Sequence, residues 1–145
     1  MDDNYSFELL SQDVCLYSCA VQDKAYMLGW LMPILLRSSF FSVTQSDTEC
    51  SFIFDADHRK EIPVKQLQKI MCLSSIEQTF RVLKVYQTNH QVNEQGIVAH
   101  FATQFNQLEV PILYINSFAN NYILIPTDRL DDVVQHFCIS PSPSQ

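Results

Sequence analysis

Only two glycines, Gly29 and Gly96, stand in the 145 residues. A Gly-rich loop whose backbone N–H groups cradle a phosphate cannot be built from them, which excludes that class of nucleotide site. Basic residues are also few: nine Lys and Arg face sixteen Asp and Glu, for a net charge of −7. They form no cluster, so nothing would neutralise a nucleic-acid backbone or an anionic bilayer, and neither partner is expected. The longest apolar run, Tyr26–Leu36, is far shorter than the ~20 residues a spanning helix needs. The start, Met1-Asp2-Asp3-Asn4, is acidic and leads into no apolar run, so it does not read as a secretory leader.

Chemistry-bearing groups do not converge. The five cysteines are odd in number and irregular in spacing, and Cys15 with Cys19 finds no second pair to complete a metal site. Buried free thiols are expected, which suits a reducing cytosol. His58, His90, His100 and His136 stand at no metal-ligand spacing and beside no Ser or Cys nucleophile. Asp55 and Asp57 flank a turn without the glycine and further oxygens of a calcium loop. No catalytic residue, metal ligand or cofactor motif is read, and a non-enzymatic protein is expected.

What is present is apolar patterning, with 47% apolar residues, enough for a core. The stretch Val110–Phe137 organises the rest. Val110–Ser117 carries large side chains on both alternating faces, which predicts a central strand. Ala119–Asn121 predicts a hairpin turn in which Asn tolerates positive φ. Tyr122–Ile125 is the returning strand, ended by Pro126. Thr127 predicts a helix N-cap with Asp128, Asp131 and Asp132 in the first turn. Leu130, Val133, Val134 and Phe137 then recur at helical spacing.

The first half has the same order. Residues 1–11 are expected as a loose arm or a short edge strand at Ser6–Leu10. Val14–Val21 predicts a strand. A helix N-capped by Asp23 follows, with a kink or break at Pro33. Ser39–Gln45 and Cys50–Asp55 predict a hairpin, Ala56–Pro63 a charged loop and Val64–Met71 a short helix. Outward aromatics among Phe40, Phe41, Phe52 and Phe54 would mark an inter-repeat or dimer face. In the second half, Thr79–Gln87 predicts a strand, Thr88–Glu94 a polar loop and Gly96–Phe105 a helix. Each half therefore reads strand–helix–strand–strand–helix. The expected fold is α+β: two tandem ferredoxin-like βαββαβ repeats over residues 12–72 and 77–140, with antiparallel sheets and helices on one face. Residues 1–11 and 141–145 are expected as flexible ends.

Two blocks carry a family resemblance. SFFSVTQSDTECSFIFDADHRKEIP resembles the first-repeat hairpin of the CASTOR family of cytosolic arginine sensors, and VPILYINSFANNYILIPTDRLDDVV resembles its second-repeat block. Both fall near the family's spacing, so the resemblance spans most of residues 12–137. It implies ACT-like domains, amino-acid sensing with arginine or a similar ligand, and signalling to regulators of the TOR pathway through protein contacts. The family carries four repeats and seats its ligand between the second and fourth. A chain with two would complete such a cleft by pairing with a second copy, so a homodimer is expected.

Residue by residue, the family's ligand contacts at the start of the repeat-two strand fall on Val110, Pro111 and Ile112, of which Pro111 offers no N–H. Independently, Asn89, His90 and Asn93 precede a helix whose N-terminal N–H groups could receive a carboxylate, and Glu109 could receive an ammonium. The family's partner-binding turn falls on Phe118, Ala119 and Asn121. The alternative reading is an interaction module that keeps the fold and binds no small molecule.

Overall fold

The computed structural model of the protein describes residues 5–63, 65, 78–87 and 95–140. Its elements are β1 (Tyr5–Ala20), α1 (Lys24–Arg37), β2 (Ser42–Gln45), β3 (Glu49–Asp55), β4 (Phe80–Gln87), α2 (Gln95–Gln107), β5 (Leu113–Asn116), β6 (Asn121–Pro126) and α3 (Leu130–Phe137). Short 3₁₀ turns precede α1, follow β3 and precede α3. The chain divides into two compact units, Gln12–Thr79 and Met1–Ser11 with Phe80–Gln145. The expected helix over Val64–Met71 and the tail 141–145 lie outside the described residues.

In the unit 12–79 the strand order is β2-β3-β1, antiparallel throughout. Cys15, Tyr17 and Cys19 face Phe54, Phe52 and Cys50 across the ladder, and all six are buried. Alternation puts them on one sheet face, and α1 covers that face with Met27, Leu31, Ile34 and Leu35. Each such aliphatic side chain contributes about 1.5–3 kcal/mol by leaving water. The helix is not broken at Pro33 and runs on to Arg37. The carbonyl that Pro33 cannot serve belongs to Gly29, which is exposed, so water meets it. Phe52 and Phe54 are core residues; of the four aromatics Phe41 is the one exposed, and with Phe40 it lies ahead of β2.

In the other unit the order is β1-β4-β6-β5. The first half of β1 is neither a loose arm nor a short edge strand. Tyr5, Phe7 and Leu9 alternate with Ser6 and Glu8, the pattern of a half-buried strand, and they pack into this unit's core. Tyr86 on β4 donates its hydroxyl to the Glu8 carboxylate at 2.5 Å. Leu83, Val85, Ile123 and Ile125 form the sheet's contribution, and Ile97, Phe101 and Phe105 of α2 with Val133 of α3 form the helical one. The structure thus supplies the expected α+β arrangement.

Three local expectations are corrected here. The central strands are β4 and β6; β5 is a short edge strand, because Pro111 lacks an N–H and pairing begins only at Leu113. The hairpin turn is Ser117–Asn120, closed by Ser117 N–H donating to the Asn120 carbonyl at 2.9 Å, and Asn121 already belongs to β6. No residue of that turn has positive φ; among the described non-glycine residues Glu109 and Cys138 do. Finally, Thr127 opens a 3₁₀ turn rather than α3, whose N-cap is Arg129 with no side-chain cap bond.

Candidate functional site

The segment joining α2 to β5 holds the expected ligand residues Glu109, Val110, Pro111 and Ile112. Its shape follows from how α2 ends. Glu109 takes the left-handed conformation, with φ of 57°. Val110 N–H then donates back to the Phe105 carbonyl and Glu109 N–H to Asn106, both at 3.0 Å. That pair of bonds is a Schellman cap, and Val110, just beyond it, is buried as the motif's hydrophobic contact. A left-handed Glu is uncommon, and the cap with its buried Val offsets the cost.

Arg129 fixes the same corner from the start of α3. Its guanidinium donates to the Leu108 carbonyl at 3.0 Å and the Glu109 carbonyl at 3.1 Å, and its Nε to Asp132 Oδ2 at 3.0 Å. The backbone of this corner is therefore committed: the Val110 N–H and the Glu109 carbonyl both have protein partners, and Pro111 has no N–H. What faces outward is the exposed Glu109 side chain beside Pro111. Asn89, His90 and Asn93 lie outside the described residues.

The expected partner-binding residues sit at the β5–β6 hairpin. Phe118 projects fully into solvent at its tip, and Ala119 beside it is exposed. Ser117 Oγ accepts the Asn120 N–H at 3.2 Å and stiffens the turn. Asn121, half-buried, pairs with Asn116 and Val85 and stands at the base of the hairpin rather than its tip. An aromatic ring held bare on a closed turn is the form of an interface anchor.

One grouping of residues was not legible in the sequence. His100 and His136, in separate helices, are joined through Gln104. The i, i+4 spacing of His100 and Gln104 was the available signal; that α3 would bring His136 to them was not legible without the fold. Of the cysteines, Cys15, Cys19 and Cys50 are buried as expected, while Cys138 is exposed in the left-handed cap of α3. Burial pushes the Cys19 and Cys50 thiols above their ordinary range. Among the described residues no group of three His, Cys, Asp or Glu could hold a metal, and no helix is long and apolar enough to cross a membrane.

Antiparallel hairpins with helices packed on the sheet give an α+β fold. The ACT domain family matches residues 75–137. The cytosolic arginine sensor for mTORC1 subunit 1 of Rattus norvegicus is 26% identical over 122 residues, covering 84% of this chain and 35% of the rat protein. The chain thus spans about a third of that relative's length. A Vibrio cholerae protein of unknown function, described as a possible transport protein, aligns with a TM-score of 0.61 at 14% identity, over 91% of this chain and 86% of its own. An Agrobacterium tumefaciens protein aligns with a TM-score of 0.63 at 15% identity, over 94% of this chain and 89% of its own. At such identities these two show a shared fold alone.

Proposed function

We propose that this chain is a regulatory ACT-domain protein that binds a small amino acid and transmits its presence through protein contacts. The carrying observation is the ACT match over residues 75–137, supported by likeness to a protein named as an arginine sensor. Arginine or a similar amino acid is the ligand class this favours, and a cytosolic location and a TOR-pathway regulator as partner come with the same likeness. A second copy of the chain would wall the site, with repeats taken as residues 12–72 and 77–140. Because the corner backbone is committed, side chains carry recognition: Glu109 takes the ammonium, Asn89, His90 and Asn93 the carboxylate, and Pro111 and Ile112 give apolar contact. Binding stabilises one packing of the repeats and so changes the surface around Phe118, Ala119 and Asn121.

A thermal-shift screen against the twenty amino acids tests this. At about 100 times its dissociation constant a ligand adds roughly 2.7 kcal/mol of stability, a clear rise in Tm. One responder, lost in Glu109→Ala, is the expected result; no response to any amino acid overturns the sensor reading. A second reading, an interaction module without a ligand, is favoured by Pro111 and the bare Phe118. On that reading Phe118→Asp abolishes partner capture while no amino acid shifts the Tm.

A further inference from the structure

A cleft of about 620 Å³ opens between α2, α3 and the start of β1, a volume within the ~300–1,000 Å³ of small-molecule sites. Its apolar wall is aromatic. Tyr5 lies stacked on His100, with ring centroids 5.5 Å apart and planes 24° from parallel. Phe101 meets Tyr5 edge-on at 5.1 Å, and Phe7 and Phe137 complete the wall at 5.8 and 6.1 Å from Phe101. None of the described lining side chains carries a fixed charge.

The polar side of the cleft is one amide held between two imidazoles. Gln104 Nε2 donates to His100 Nε2 at 2.6 Å, and His136 Nε2 donates to Gln104 Oε1 at 3.3 Å. These bonds fix the plane of the amide and the direction in which its nitrogen and oxygen point. They use one of its two N–H groups and one of its two carbonyl lone pairs. A donor and an acceptor therefore remain on one amide whose plane is held. That is the pairing a glutamine offers when it reads the edge of an adenine.

We propose that this cleft binds a neutral, planar heteroaromatic ring with a ring-nitrogen acceptor beside an exocyclic N–H donor, an aminopurine-type edge. The ring lies among Tyr5, Phe101 and Phe137, and its edge meets Gln104 bidentately. A free amino acid does not fit the same place, because the described lining offers neither an anion for its ammonium nor a fixed cation for its carboxylate. The site is thus separate from the one proposed at Glu109, and its test does not depend on that reading.

Cys138, an exposed thiol on the cleft wall, provides the readout. Alkylation by iodoacetamide, followed at Cys138 by peptide mass, is measured with adenine, with purine and with arginine as probes. At about ten times its dissociation constant adenine slows Cys138 alkylation about tenfold, since only the unliganded protein reacts. Purine, which lacks the exocyclic donor, and arginine protect little. Adenine also shifts the imidazole C–H resonances of His100 and His136 and leaves those of His58 unmoved. Gln104→Leu, checked to melt cooperatively, loses the protection. Gln104 is only half-buried; should that variant nonetheless unfold, Gln104→Glu is read instead and discriminates equally, because it removes the donor. No protection by millimolar adenine, equal protection by purine, or protection that survives loss of the Gln104 donor overturns the proposal.

Discussion

The two units solve one junction in opposite ways. In each, a helix must hand the chain to an edge strand beside the end of the strand that follows. In the unit 12–79, α1 ends at Ser38 in extended backbone, and the junction's free groups are N–H donors. Asp55, at the end of β3 and 5% exposed, accepts from Ser39 N–H at 2.7 Å and Phe40 N–H at 3.2 Å. In the other unit α2 ends in a left-handed cap, and the junction's free groups are carbonyls. There Pro126 takes the strand-end place of Asp55, and Arg129 in the following 3₁₀ turn donates to Leu108 and Glu109. The sign of the charge that secures the corner is set by which backbone groups the helix end leaves over.

The hairpins, by contrast, are closed identically. Ser46 N–H donates to the Glu49 carbonyl at 2.8 Å while its Oγ accepts Glu49 N–H, and Ser117 does the same with Asn120. A device local to four residues repeats easily. A device that depends on how a helix ends does not.

The largest difference between the units is the debt of the second to the first eleven residues. Deleting residues 1–10 removes Tyr5, Phe7 and Leu9 from its core and bares the β4 edge. Its unfolding then separates from that of the unit 12–79, and β4 and β6 amides lose hydrogen-exchange protection while those of β3 keep theirs. Equal protection before and after deletion would break the comparison. Leu9→Ala is the milder form, costing about 2–4 kcal/mol for a nearly buried leucine.

The corner groups come next. Asp55→Ala leaves two part-buried N–H groups without their acceptor, and about 1.5–3 kcal/mol is lost on urea unfolding. Arg129→Ala costs less, about 1–2 kcal/mol, because its side chain is one-third exposed and water replaces part of what it gives. Arg129→Lys does not rescue, since an ammonium cannot span two carbonyls and a carboxylate as the guanidinium fork does. Asp55→Arg and Arg129→Asp, if either were tolerated, would show that corner polarity is not fixed by the helix end.

The strands β3 and β6 and the helices α1 and α2 were legible as apolar stretches bounded by turn residues, whereas the closing helix expected at Val64–Met71 lies outside the described residues. The first half of β1 is not legible as a core strand because its partner strand lies far along the chain, Glu8 meeting Tyr86 across 78 positions, and Ser6 and Glu8 read as solvent-facing on their own. Val110–Ser117 reads as central because apolar residues fill both faces; the stretch up to Ile112 that stays outside the ladder depends on the Glu109 cap, and a left-handed Glu has no sequence signal. Within the candidate site, Glu109 to Ile112 and the Phe118 tip were legible as places, but not the Arg129 clamp that commits the corner's backbone. Arg129 stands among Asp128, Asp131 and Asp132, a run whose sequence signal is helix capping.

The smallest effect sharpens the comparison by pH. Helix and turn are tied in both units, but the tie runs in opposite directions. In the unit 12–79 Arg37 of α1 reaches the 3₁₀ turn, pairing with Glu61 at 2.7 Å, and His58 meets the same carboxylate at 2.5 Å. In the other unit the turn's Arg129 reaches back to the neutral carbonyls of Leu108 and Glu109, and its one carboxylate partner, Asp132, lies in the helix that follows the turn and not across the tie. The Arg37 hydrogen bond, then that of His58, holds the Glu61 carboxyl below its ordinary range. A carboxyl depressed in the folded state adds stability that is full above the ordinary glutamate range and is lost as pH falls through its lowered value. Glu61 is exposed, so the contribution is small and screened by salt. Glu61→Gln should therefore melt slightly below the parent at pH 7, and the gap should close on acidification and in high salt. An Arg129→Ala gap unchanged by modest acidification would place the acid sensitivity of these ties in the unit 12–79; a Glu61→Gln gap that persists below the lowered Glu61 value would show that the residue acts by packing and not by charge.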